Sequence, residues 1–126
     1  MGLITLGDFT SHSGLQLPFK IECDALTDDD MEAIASIISK SFAFGSVHGI
    51  PRGGLRLAQK LTRYVGDIRL PALIVDDVLT TGTSMIEYGN SRAIRRPYIG
   101  VVIFARGPCP SWVHPIFRVG RPWVLE

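Results

Sequence analysis

The chain has 126 residues and a formal net charge of +1 at pH 7, with 46% hydrophobic and 20% charged residues. That length makes one domain able to bury most of its unfolded surface without staples. The balance excludes a disordered chain and gives no general nucleic-acid electrostatic footprint.

No apolar stretch approaches a membrane span, and Met1–Thr10 lacks the basic start and apolar core of a signal peptide. Cys23 and Cys109 lie far apart and lack metal spacing, so free thiols and a cytoplasmic location are expected. There is no internal repeat, low-complexity segment or linker, so residues 1–126 read as a single domain. The charge is uneven. After Glu87 the only acid is Glu126, while Arg92, Arg95, Arg96, Arg106, Arg118 and Arg121 are basic. This third either receives phosphate-rich ligands or forms a solvated surface.

In chain order, Gly2–Glu22 reads as two short strands around a turn, with Phe9 and Phe19 as core candidates. Thr27-Asp28-Asp29-Asp30 then opens a helix: Thr27 caps, Asp30 completes a capping box, and the acids suit the positive helix end. Met31, Ile34, Ala35, Ile38 and Phe42 follow at helical spacing and give one buried face. Phe44–Gly49 reads as a strand entering Ile50-Pro51-Arg52-Gly53-Gly54, followed by a helix through Tyr64. The paired glycines let the backbone approach a ligand, and Arg52 offers a planar fork for phosphate oxygens. His48 reads as strand filler.

After Val65–Arg69 comes the stretch that carries most of the chemistry. Ala72-Leu73-Ile74-Val75 is a buried strand, and Asp76 and Asp77 stand where it is expected to end. The loop Thr80-Thr81-Gly82-Thr83-Ser84 follows, then a helix start. Backbone N–H groups, hydroxyls and a helix N-terminus converge there on a point suited to phosphate. The adjacent carboxylates are suited to Mg²⁺ or sugar hydroxyls. A buried strand with an ordinary Thr/Gly turn is the plainer alternative. The helix is expected to break at Gly89-Asn90-Ser91. Tyr98–Ala105 is a buried strand, and Trp112-Val113-His114-Pro115 with Ile116–Val119 leads to a final one. Trp112 and Trp123 read as aromatics that close the domain or stack on a base.

The run Val75–Ser84 resembles the phosphoribosyl-pyrophosphate (PRPP) signature of type I phosphoribosyltransferases. Phe9-Thr10-Ser11-His12-Ser13-Gly14 with Pro18 and Phe19 resembles the hood of the orotate phosphoribosyltransferases. Pro51-Arg52-Gly53-Gly54 resembles the family's pyrophosphate loop. The resemblance implies an α/β, parallel-sheet type I phosphoribosyltransferase-like fold, compact, with a hood at residues 1–22 and a core at 23–126.

It further implies catalytic and Mg²⁺-binding roles for Asp76 and Asp77, and a 5-phosphate site at Thr80, Thr81, Gly82, Thr83 and Ser84. Pyrophosphate would lie at Arg52, Gly53 and Gly54, and the base near His12, Lys20 and Arg106. PRPP and a nucleobase are the implied partners, a homodimer the implied assembly, and a pyrimidine such as orotate or a purine the implied acceptor.

In that family, extra strands and a long basic loop precede the PRPP strand. Here only Val65–Arg69 intervenes, too short for either, which leaves Arg63 and Arg69 as the nearby cations for that part. A non-catalytic PRPP- or nucleotide-binding module is therefore the alternative to an enzyme, and a generic phosphate-binding partner protein a third reading.

Overall fold

The computed structural model describes residues 2–10, 16–91, 94 and 97–119. His12, Arg92, Arg95, Arg96, Arg121 and Trp123 fall outside these. The order is β1 (Ile4–Thr10), β2 (Gln16–Ile21), α1 (Asp28–Ser41), β3 (Ser46–Gly49), α2 (Leu55–Leu61), β4 (Ala72–Leu79), α3 (Thr83–Ser91), β5 (Tyr98–Ala105) and β6 (Val113–Arg118). Short 3₁₀ turns at Cys23–Ala25 and Thr62–Tyr64 precede α1 and follow α2.

Strands β1 and β2 pair antiparallel as a separate two-stranded hood, with a bulge between Leu6 and Phe9. The other four form a parallel sheet in the order β3-β4-β5-β6. The β-branched, apolar runs of β4 and β5 suit strands buried on both faces. On one face, Leu73, Val75, Val101 and Ile103 pack against Ile34 and Ile38 of α1 and Leu57 and Leu61 of α2. On the other, Ile74 and Val102 meet Met85 of α3 and Val113.

The capping box at α1 is as expected: Thr27 Oγ1 accepts the Asp30 N–H at 3.0 Å, and Asp30 Oδ2 accepts the Thr27 N–H at 2.8 Å. Other boundaries move. Phe42 is extended and ends α1, with its side chain still packed on the core. The β4 ladder does not stop before the acids. Asp76 pairs with Val102, Val78 with Phe104 and Leu79 with Ala105, so the carboxylates belong to the strand. Helix α3 continues through Ser91 because Gly89 is needed there as a small residue under the Tyr98 ring, not as a breaker. The last strand, Val113–Arg118, lies within the Trp112–Val119 stretch.

Two connections shape the site. Val65 to Pro71 is a loop tied to the start of β3 by Gly66 N–H to Phe44 O and Gly45 N–H to Pro71 O, both 2.9 Å. It contains no strand. Parallel β5 and β6 are joined by residues 106–112 alone, and Gly100 stands opposite Val113 while Ala105 stands opposite Arg118. The return must run back about 16 Å along β5, whereas the same residues wound as a helix would advance only about 11 Å. The return is therefore no helix. It bends at Arg106 and Gly107, turns at 110–113 with Val113 N–H donating to Pro110 O at 3.0 Å, and crosses the sheet on the α3 side, where Cys109 and Trp112 pack.

Candidate active site

Asp76 and Asp77 sit at the carboxyl end of β4, the strand hydrogen-bonded on both sides. Asp76 Oδ1 accepts the Asp77 N–H at 2.8 Å, and Asp77 Oδ1 accepts the Val78 N–H at 2.7 Å. Asp76 is the buried polar side chain of the described residues. Burial, reinforced by the Asp77 charge, raises its carboxyl from 3.8 to about 8. Among the described residues neither carboxylate has an ion-pair partner. Cys23, in the turn after the hood, feels the same field. Burial first, then the charges of Asp77, Asp76 and Asp24, push its thiol up to about 12. Cys109 is also a free thiol.

The loop after β3 folds onto this pair. Ile50 N–H donates to Val75 O at 2.9 Å and Gly54 N–H to Ile50 O at 2.8 Å, which returns the backbone to β4 before α2 begins. Gly53 then abuts the Asp77 carboxylate with no room for a side chain. The Pro51–Arg52 peptide is cis. Arg52 is exposed at the rim.

Thr80–Ser84 closes the far wall. Gly82 has φ +84°, a conformation that favours glycine, and its carbonyl accepts the Ile86 N–H at 3.1 Å to start α3. Thr81 Oγ1 lies 2.9 Å from Thr83 Oγ1. The loop encloses a hollow of about 30 Å³ that Asp76 also lines. An anion there would meet free helix N–H groups and hydroxyls together.

The hood forms the roof. Phe9, Thr10, Lys20 and Ile21 face a cleft of about 650 Å³, whose floor holds Arg52, Gly53, Asp76, Asp77, Thr80 and Ser84. Lys20 Nζ pairs with Glu22 Oε1 at 2.7 Å. Arg106 joins roof to floor. Its Nη2 donates to the Phe19 carbonyl, and its guanidinium carbon lies 3.9 Å from the Phe19 ring centroid. Its Nε is buried without a partner, and desolvation lowers the pKa of the group.

No family model and no curated protein matches the sequence. Solved structures do match. The orotate phosphoribosyltransferase from Aeropyrum pernix superposes with a TM-score of 0.67 at 19% identity, over 93% of this chain and 88% of that one. Leishmania donovani UMP synthase gives 0.75 at 18% identity, over 93% of this chain but only 34% of its own length. A Mycobacterium tuberculosis H37Rv orotate phosphoribosyltransferase gives 0.66 at 13%, over 92% and 89%. The chain has the orotate phosphoribosyltransferase fold.

On that fold, the acid pair, Arg52, Gly53, Thr80, Ser84, Lys20 and Arg106 all meet in one cleft. Thr81, Gly82 and Thr83 line the adjoining hollow. Arg63 and Arg69 do not reach it. Arg63 bonds the Tyr64 hydroxyl at 2.8 Å and pairs with Glu32 at 3.7 Å. Arg69 is forked onto Asp67 at 2.8 and 3.1 Å. Trp112 packs edge-on to Tyr98, with centroids 5.0 Å apart, on the α3 side of the sheet. His48 bonds Ser46 across the strand at 3.1 Å. Ile50 and Val78 line the cleft from within runs already singled out, without a role assigned there. Gly107 and the Pro110 ring, which press on Thr80 and Gly82 from behind, are marked by no sequence pattern.

Proposed function

We propose that this protein is a phosphoribosyltransferase that transfers the phosphoribosyl group of PRPP to a nucleobase. The observation that carries this reading is the single cleft in which hood, Arg-Gly-Gly loop, unpaired acids and hydroxyl loop converge. In it the 5-phosphate occupies Thr80–Ser84, and the ribose hydroxyls donate to Asp76 and Asp77. Pyrophosphate lies along Arg52–Gly54, and the base lies under the hood near Lys20 and Arg106, with His12 on the same segment. A nitrogen of the base forms the bond to ribose C1 as the C1–oxygen bond breaks. The electron pair leaves on pyrophosphate and the base N–H proton goes to solvent.

Arg52 stabilises the leaving charge, and the acids favour the positive charge that develops at the ribose. Holding both reactants in line supplies much of the remaining rate. The acid pair also fits Mg²⁺. Two carboxylates with no third protein ligand among the described residues suit an ion that keeps several waters and takes substrate oxygens. Bound there, it would neutralise pyrophosphate charge. The free thiols support a reducing, cytoplasmic setting, and a homodimer is the assembly the family resemblance implies.

One observation favours a second reading, a PRPP-binding module without turnover: the 65–71 loop carries no helix or strand, and its one cation, Arg69, is held by Asp67. Incubation with PRPP, Mg²⁺ and a panel of purines and pyrimidines decides between them. Pyrophosphate release with one base is the expected result. Tight Mg²⁺-dependent binding of PRPP with no release from any base would establish the binding module instead.

A further inference from the structure

Among the described residues the hood strands pair only with each other. The roof of the cleft therefore meets the core through side chains, chiefly Leu3, Phe19, Ile21 and the Arg106 fork. Arg106 also has a second attachment. Its backbone N–H donates to the carbonyl of Leu79 at 2.8 Å, the residue directly before the phosphate loop. The next residue, Gly107, lies so close to that loop that a Cβ on it would stand 2.2 Å from the Thr80 carbonyl oxygen. Pro110 continues the contact, 3.2 Å from the Cβ position of Gly82.

We infer that Arg106 and Gly107 link the hood to the phosphate loop, so that a ligand in the loop tightens the hood over the acceptor position. The inference rests on reading Thr80–Ser84 as the phosphate site. Arg106 acts in it as a positioning residue. Its main chain follows the stem of the loop and its guanidinium holds the Phe19 carbonyl and ring. Close-packed contacts of this kind do not absorb small shifts, so a displacement of Thr80 moves Gly107 and, through the shared peptide, Arg106. The 106–112 return is pressed onto the loop at Gly107 and again at Pro110, so the contact is held at two points. The second arrangement is the hood detached from Phe19 outward, and its population is what the ligand biases. Coupling between sites is reciprocal, so acceptor binding under the hood strengthens phosphate binding by the same factor.

The test uses the full chain and ribose 5-phosphate, a probe that has the phosphate and the diol but neither pyrophosphate nor base. Anything it does to the hood passes through the protein. Amide hydrogen exchange is followed in residues 4–21 and 80–91. In the wild type, ribose 5-phosphate should slow both segments, the hood by about fivefold or more. In Arg106→Met, which keeps the aliphatic stem and removes the donors, 80–91 should still slow while the hood no longer responds. The readout is the ratio with and without ligand, which a merely structural loss would not change.

Phe19→Leu, which keeps the carbonyl but removes the ring, should give a reduced hood ratio and keeps the test open if Arg106→Met fails to fold. Equal hood ratios in wild type and variants would overturn the linkage, as would a wild-type hood that ignores the ligand while 80–91 responds. If 80–91 does not respond in the wild type, the phosphate-loop reading itself fails, and the inference falls with it.

Discussion

A methyl group on Gly53 would lie 2.2 Å from Oδ2 of Asp77 and 2.5 Å from its carboxyl carbon. The Arg52 loop is thus packed directly against the acid pair of β4. Gly53→Ala must push the carboxylate aside or lift the Arg52 loop. We expect a loss of about 1–3 kcal/mol of stability, in the range of overpacking, and at least about tenfold weaker PRPP binding, a small free-energy change on this scale. Urea midpoints and calorimetric titration measure the two. An unchanged affinity would show that the contact does not set ligand geometry.

The raised carboxyl of Asp76 gives stability a distinct pH dependence in metal-free buffer. The unfolded group titrates at 3.8 and the folded one at about 8. Between those values the folded chain holds the extra proton, so stability falls as pH rises from about 4 to about 8, then levels. Asp76→Asn should flatten this slope. It should match wild type near the acid end and exceed it above pH 8 by more than about 1 kcal/mol. Urea unfolding at about pH 5, 7 and 8.5 checks the sign. Parallel profiles for the two proteins would refute it.

Replacing a helix glycine by alanine ordinarily gains about 1 kcal/mol. At Gly89 the sign should reverse, because the new Cβ would stand 2.8 Å from the Tyr98 hydroxyl and 3.0 Å from its ring carbon. We expect Gly89→Ala to destabilise, and a double-mutant cycle with Tyr98→Phe to show positive coupling. The exposed neighbour Asn90→Ala serves as the ordinary case.

Neither thiol should be readily modified in the native protein. Cys23 is buried and pushed up to about 12, and burial also raises Cys109, which is partly accessible. At mildly alkaline pH a disulfide reagent should react slowly with Cys109 and not with Cys23, and rapidly with both once the chain is unfolded. Rapid native labelling of Cys23 would mean that the turn between hood and α1 opens often.

Much of the site was legible because its chemistry is local. Asp76-Asp77, Arg52-Gly53-Gly54 and Thr80–Ser84 are each contiguous, and the apolar run of β4 announces the first and the last. The strand end was less legible. A pair of acids looks like a stop signal, and only the ladder from β5 shows that β4 runs through them. Gly89 misled for a related reason. In sequence a glycine's missing side chain reads as freedom, whereas here it is room for a tyrosine from another strand. Arg63 and Arg69 were assigned by proximity in the chain, and their nearer partners, Tyr64, Glu32 and Asp67, hold them away. What no local pattern could reveal is the 106–112 segment, whose contacts with Thr80, Gly82 and Phe19 span long separations.

That segment has a consequence for how the gene can vary. Most surface connections tolerate insertions and deletions. The one between β5 and β6 must be long enough to reach back to Gly100 and short enough to stay pressed on Thr80. Removing more than about two residues would leave too little chain to span the return and would forbid the parallel pairing. Adding them would spare the pairing and let the Thr80–Ser84 loop drift from the hood. The width of the cleft is held by a count of residues as much as by any side chain.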